Sequence, residues 1–441
     1  MLESEYQAST SSAALPSKDL PSKLLRPSKL LLGVTGGIAA YKLCEVTSTL
    51  AKAGVDVRVL MTQQAQSFIS ALTFAALSRH SVYTDDDFWS AKQGRPLHIE
   101  LGEWADVFII APMTANTLAK LAHGLADNLV TNTVLASTCP VLLAPAMNTD
   151  MWQQPAVQRN WQQLGIGQLA SRYHSVGPES GQLACDRIGT GRMAEPTKIV
   201  TAFHSLCHTK GRKDLLGKQL LISGGGTQEY LDSVRFIGNP ATGRMGIALA
   251  QAAHHRGADV TLVHGPLTEV LTNTIPTPIH TIAVTTAAEM EREMLSALPS
   301  ADWIIMSAAI ADVRPIHTVA YKLQKKDLPA DLPLSIVPDI ITQLAKQRSA
   351  NQQIVGFAAQ TGNIVAPARE KLERKHLDAI VANPIDQPDS GFSSSNNQAV
   401  ILLANGQQRQ VAHCSKLSLA HQLYDTLLYD SLSDTNPPEF N

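Results

Sequence analysis

The chain lacks the signatures by which nucleotide-handling proteins are most often read. Neither of its glycine-rich turns spells GxGxxG, and no GxxxxGK[ST] is present, which excludes a P-loop. No apolar run approaches the roughly 18 residues needed to cross a bilayer. The first 28 residues have no apolar core of the secretory kind and read as a disordered extension. Neither sign of charge dominates: 36 Lys and Arg stand against 38 Asp and Glu, a net charge of −2. There is thus no overall pull towards nucleic acid or an anionic membrane, and ligands must be captured locally. Cysteine is scarce, with five residues at 44, 139, 185, 207 and 414 and no paired metal spacing. An odd, scattered set suggests a reducing compartment and a cytoplasmic protein. The metal ligands, if any, are unknown from sequence.

What is present is alternation. Of 441 residues, 44% are hydrophobic, enough for two large domains with sizeable cores. Residues 29–42, KLLLGVTGGIAAYK, read as a buried strand, a glycine turn and a helix start. A variant of this returns at 218–246. Strands are expected at 30–34, 55–61, 107–111 and 141–144, and again at 220–223, 260–264, 303–307, 354–358 and 379–382. Helical patterns separate them, so the fold class is α/β, with two doubly wound, mostly parallel-sheet domains. A hairpin over 398–403 and 409–413 and a helix over 417–432 close the chain. The domain boundaries are set at 29–208 and 217–432, with a linker at 209–216 and a tail at 433–441. Residues 171–196 show little periodicity and read as a lid or binding loop.

In such sheets, ligands sit beyond the carboxyl ends of the strands. A dinucleotide site would end its second strand in Asp or Glu to hold a ribose. Here those strands end in Leu60, Met61 and Thr62, and in Val263, His264 and Gly265. A hydroxyl such as Thr62 suits a phosphate better. Gly36 and Gly37, residues 112–116 (PMTAN) and residues 145–148 (PAMN) share that edge, and His98 opens a short segment before the third strand. The lid carries Cys185 among glycines, near Arg187 and Arg192. Nearby cations would lower its pKa.

The order GVTGGIAAYK, HIELGEWAD, APMTANTLAKLAHGLADN, PAMN and ACDRIGTGRM resembles the flavin-dependent cysteine decarboxylases, which include the phosphopantothenoylcysteine decarboxylases. That resemblance implies a flavodoxin-like domain binding FMN through Gly36, Gly37, Ile38, Thr62, Thr114 and Asn116. It implies His98 as the active-site histidine, Asn148 as the holder of the substrate carboxylate and amide, and Cys185 as the proton donor. The substrate thiol is oxidised, CO2 leaves, and hydride and proton return. Asp186 departs from the family, which usually has Gly there.

In the second half, the glycines at 224–226 and residues 239–246 (NPATGRMG) form another phosphate-type nest. Asp312 follows a strong strand, Lys322 lies in a basic cluster, and Pro338, Asp339 and Ile340 start a helix. Lys371 and Lys375 are spaced i, i+4, so both ammonium groups can reach one triphosphate. These motifs resemble phosphopantothenate–cysteine ligase, and the two halves together resemble the bacterial bifunctional coenzyme A biosynthesis family. The resemblance implies a Rossmann-like ligase domain in which CTP activates 4′-phosphopantothenate as an acyl-cytidylate that L-cysteine attacks, with Mg2+ assisting. Asn239 would act on that intermediate. Asp312, Lys322, Pro338, Asp339, Ile340, Phe357, Lys371 and Lys375 would contact CTP. Gln228, Arg244 and Gln360 stand where the family usually has other residues. The same resemblance implies a homo-oligomer, a dodecamer built from trimers and dimers, without nucleic-acid or membrane partners. Two alternatives stay open: an FMN-dependent peptidyl-cysteine decarboxylase with a degenerate second domain, and a flavoprotein regulatory subunit that inhibits a phosphatase.

Overall fold

A computed structural model describes residues 28–90, 94–184, 186–328, 330–387, 389, 391 and 394–429. Cys185, the extension before Ser28 and the tail from 430 onward lie outside the described residues.

Six strands form the first sheet: β1 (Lys29–Val34), β2 (Asp56–Met61), β3 (Val82–Thr84), β4 (Val107–Met113), β5 (Val141–Pro145) and β6 (Tyr173–Ser175). All pair in parallel, in the order β3-β2-β1-β4-β5-β6. Strand β4 is buried along its whole length because helices cover both faces. In β1, Leu30, Leu32 and Val34 feed one core with Val46, Leu50 and Phe203, while Leu31 feeds the opposite core with Phe108 and Val130. That two-sided burial is why the strand reads as an unbroken apolar run.

Residues 171–196, expected as an irregular segment, contain regular strands instead. Residues 173–175 are the edge strand β6, and β7 (Glu179–Gln182) pairs with β8 (Ile188–Arg192) as an antiparallel hairpin. Glycines at positions 181, 189 and 191 remove the side-chain alternation by which a hairpin is read.

The second sheet has eight strands: β9 (Gln219–Gly224), then β10 (Asp259–His264), β11 (His280–Ala283), β12 (Trp303–Met306), β13 (Gln353–Gln360), β14 (Ala379–Pro384), β15 (Asn396–Leu403) and β16 (Gln408–Ser415). The first six are parallel, in the order β11-β10-β9-β12-β13-β14, and β15 and β16 extend them antiparallel. Each parallel sheet reverses its winding once, between β1 and β4 and between β9 and β12. Such switch points leave a crevice at the carboxyl ends of the strands.

The halves meet through the helix Pro196–Thr209, which packs beside the helices Arg244–His255 and Lys416–Tyr429. Arg256 is fully buried there. Its Nε donates to Asp214 Oδ1 at 2.6 Å and its Nη2 to Asp425 Oδ1 at 2.8 Å. Leu215 is also fully buried, so the segment expected as a linker is packed into the junction.

Candidate active sites

At the first switch point, the turn after β1 is too close to Gln64 for a side chain at Gly36, while Gly37 packs at ordinary contact distance. A Cβ on Gly36 would lie 2.4 Å from Gln64 Cβ, and one on Gly37 would lie 3.4 Å from Pro112 Cγ. Thr35 Oγ1 donates to the Pro112 carbonyl, tying this turn to the end of β4. Thr62 is buried and caps the short helix Gln63–Gln66, its Oγ1 accepting from Ala65 N at 3.3 Å. Thr114 caps Ala115–His123, accepting from Thr117 N at 3.2 Å, and Asn116 is exposed in the first turn of that helix. Ile38 is exposed where the glycine turn enters a 3-10 turn. Gly36, Gly37, Thr62, Thr114 and Asn116 thus gather at one edge, among helix N-termini whose free N–H groups favour a phosphate.

Asn148 follows β5 and caps Thr149–Gln153, its Oδ1 accepting from Asp150 N at 2.7 Å. The β7–β8 hairpin is seated on this turn. Met147 N donates to Gly191 O at 2.9 Å, and a Cβ on Gly191 would lie 2.2 Å from Met147 O. The hairpin is therefore rooted beside Asn148. Arg187 pairs with Asp150 and Arg192 with Glu195, so both guanidinium charges that flank the cysteine in sequence are neutralised by carboxylates. The expected effect of these cations on the Cys185 thiol lies outside the described residues. Burial raises the pKa of the four other thiols, Cys207 to about 12, which leaves none of them poised as a thiolate. His98 stands apart: its Nδ1 is buried without a partner, and its ring meets Phe88 edge-on at 5.4 Å.

The second switch point opens into a cavity of about 780 Å3. Backbone meets backbone at its floor. A Cβ on Gly246 would lie 2.7 Å from Gly224 Cα, and one on Gly265 would lie 2.0 Å from Gly226 O. Gly243, at φ 83°, turns the chain into the helix Arg244–His255. Asn239 is exposed and donates to Ile310 O at 3.1 Å. Asn239, Asp312, Pro338, Asp339, Ile340, Phe357, Lys371 and Lys375 all line this cavity. Lys322 does not: it is exposed in the segment outside the lining. Lys375 Nζ lies 2.6 Å from Asp339 Oδ2, and Lys371 Nζ donates to Phe357 O at 3.1 Å. Burial lowers the pKa of Lys371, and the neighbouring Lys375 adds to the effect. Burial pushes the Asp339 carboxyl up, but the Lys375 bond and the helix-capping bonds outweigh it and hold the pKa low.

Lys416 also lines the cavity and was not anticipated. It is buried, donates to the Gly391 and Ser394 carbonyls, and has its pKa lowered to about 8 by burial and by Arg244. At the start of an amphipathic terminal helix it carries no sequence signal, because only the antiparallel pair β15–β16 brings it back to the cavity. Among the described residues, no cluster of three or more His, Cys, Asp or Glu could hold a metal ion, and no helix is long and apolar enough to cross a membrane.

Two parallel sheets, each with a glycine-walled crevice at its switch point, define a tandem two-site protein. Residues 19–208 match the flavoprotein family, and residues 215–429 match the C-terminal domain of the DNA/pantothenate metabolism flavoproteins. The coenzyme A biosynthesis bifunctional protein CoaBC of Bacillus subtilis strain 168 is 40% identical over 407 residues, covering 91% of this chain and 96% of its own. That of Escherichia coli strain K12 is 41% identical over 384 residues, covering 86% and 91%. The counterpart in Mycobacterium bovis is 37% identical over 415 residues, covering 91% and 96%. The chain belongs to this bifunctional coenzyme A biosynthesis family. It is a two-domain enzyme with a flavoprotein decarboxylase half and a ligase half.

Proposed function

We propose that the second cavity joins 4′-phosphopantothenate to L-cysteine with CTP, and that the first site decarboxylates the product to 4′-phosphopantetheine. The observation that carries this is the convergence of Asn239, Asp312, Asp339, Lys371 and Lys375 on one cavity. In the ligase step, the pantothenate carboxylate attacks the α-phosphorus of CTP and pyrophosphate leaves. Lys371 and Lys375 face the charge that develops on the leaving group, and Mg2+ shares that role. The cysteine amine then attacks the acyl carbon and CMP departs, with the Asn239 amide orienting the intermediate. Lys322 would reach CTP only by movement of its exposed segment.

At the first site, Gly36, Gly37, Ile38, Thr62, Thr114 and Asn116 would hold FMN. The fit rests on the glycine turn at 36–37, whose backbone is packed closely against Gln64, and on the surrounding helix N-termini. When bound, FMN supplies reversible two-electron chemistry at the carbon bearing the substrate thiol. Asn148 orients the substrate carboxylate, and Cys185 delivers the closing proton. As the family resemblance implies, His98 would serve a site that lies at the contact between copies in a trimer. The larger assembly is a dodecamer, and the working compartment is the cytoplasm.

Purified protein given CTP, Mg2+, cysteine and 4′-phosphopantothenate should release CMP and form 4′-phosphopantetheine. Absence of CMP would remove the ligase assignment. The Cys185→Ser variant should retain FMN and CMP release yet yield no 4′-phosphopantetheine. A wild-type yield from it would remove Cys185 from the mechanism.

A further inference from the structure

A second cavity, of about 240 Å3, lies at the junction of the two halves and away from both switch points. Its walls come from β5 and β6, from the packed segment after the helix Pro196–Thr209, and from the C-terminal end of the helix Arg244–His255. Lys213 lines it and is only 7% exposed. Its Nζ donates to the Gln168 carbonyl at 3.0 Å and makes no ion pair among the described residues. His174 lines it as well, is 8% exposed, and has a buried Nε2 without any hydrogen-bond partner. A Cβ on Gly211 would lie 3.1 Å from that nitrogen, and Gly211, at φ 78°, is what lets the chain pass so close. His254 and His255 face the cavity from the other half. Asp259 is the acidic group of the lining, but it is exposed at the rim and its Oδ2 accepts from Gln219 Nε2 at 2.9 Å.

A buried ammonium without a counter-ion is expensive. It is relieved by a ligand that brings negative charge and several acceptor oxygens. We propose that this junction cavity binds a tetrahedral oxyanion of the phosphate class, held by Lys213 Nζ, with His174, Ser175 and His254 on its flanks. The Lys213 ammonium keeps two hydrogens beyond the one given to Gln168, which suits an acceptor with several oxygens. The lining draws on both halves, so occupancy favours the packed arrangement of the two.

The experiment uses the full chain loaded with FMN and saturated with CTP, which fills the flavin and nucleotide phosphate positions; binding at a position for the substrate's own 4′-phosphate is recognised by its persistence in the Lys213 and His174 variants. Inorganic phosphate and methyl phosphate are titrated calorimetrically at constant ionic strength. The wild type should show a saturable event that is weakened at least ten-fold in Lys213→Met and in His174→Leu and kept within about three-fold in Lys213→Arg. Binding of both ligands marks a site for the phosphate end of a larger molecule. Binding of inorganic phosphate alone marks a site for the free ion. Retained FMN absorbance reports folding of each variant, and either Met or Leu variant suffices. No event in the wild type, or unchanged affinity in a folded Met or Leu variant, would overturn the proposal.

Discussion

Asp186 has φ 61°, in the left-handed region, within a tight turn where Leu183 N donates to Arg187 O at 2.8 Å and Asp186 N to Leu183 O at 3.0 Å. Glycine enters that region without strain, and Asp is among the few other residues that tolerate it. The usual family glycine therefore reports a backbone need, and Asp186 meets it in another way. Asp186→Gly should leave decarboxylation within about two-fold. Asp186→Val places a β-branched side chain where it costs about 1–2 kcal/mol. It should slow decarboxylation at least about ten-fold while CMP release is unchanged, which steady-state assays of the two half-reactions would check. Equal slowing of both reactions would show that the turn serves general stability instead.

The β7–β8 hairpin is held to the end of β5 by close backbone approach, with the Arg187–Asp150 ion pair beside it. Gly191 sits at φ 153° with the Met147 carbonyl in the place of a Cβ, and Gly189 leaves its own Cβ position to Thr149. Gly191→Ala should lift the hairpin from the Asn148 turn. A displacement of about 1 Å at a reacting group can cost about 100-fold, so 4′-phosphopantetheine formation should fall by that order while FMN binding and CMP release persist. Undiminished decarboxylation would separate the hairpin from the chemistry. This element was the least legible in the sequence. The strands β1, β4 and β5 show themselves because burial on both faces makes them continuous apolar runs. The crevices show themselves because glycines recur at strand ends. The hairpin has neither mark: its register is set by close backbone approach, which glycine permits without leaving a periodic pattern. Strands β3 and β11 were hidden for a related reason, being short edge strands that are only partly buried. Lys416 and Lys213 could not be placed from sequence either, since tertiary packing alone decides what a buried lysine faces.

The whole molecule is held at its junction by charge. Burial alone would lower the Arg256 pKa, but Asp214 and Asp425 hold it raised. Arg256→Met would leave two carboxylates partly buried without their cation. Breaking such a pair costs about 3–5 kcal/mol, and the loss should appear as an earlier unfolding transition in calorimetry. Rising stability in that variant would mean that the guanidinium serves no purpose in packing.

Beside Arg256, Ser205 Oγ lies 2.7 Å from His255 Nδ1 and 2.9 Å from His421 Nε2, and His208 bonds Asp425 at 2.8 Å while stacking on His421 at 4.8 Å. Burial, with neighbouring imidazoles adding to it, depresses the pKa of His255 to about 3 and of His421 to about 2. In the unfolded chain each returns to about 6.5. From about pH 6.5 downward the unfolded state therefore binds more protons, and stability falls as pH falls, by about 1.4 kcal/mol per pH unit for each fully shifted histidine. His174, His204 and His254 are depressed as well, so they act with the same sign. Burial would raise the Asp425 carboxyl, but its bond to His208 and the charge of Arg256 bring it down to about 2. Its contribution is complete above about pH 4, the ordinary carboxylate value, and is lost below it. Above pH 7 these groups carry the same protons folded and unfolded, so no slope is expected from them. Melting temperature should be level between pH 7 and 8 and drop steeply between pH 6 and 5. His421→Asn, which removes one titrating group, should make the drop shallower by about one proton's worth. A melting temperature that holds or rises on acidification to pH 5 would show that the junction does not keep its histidines neutral.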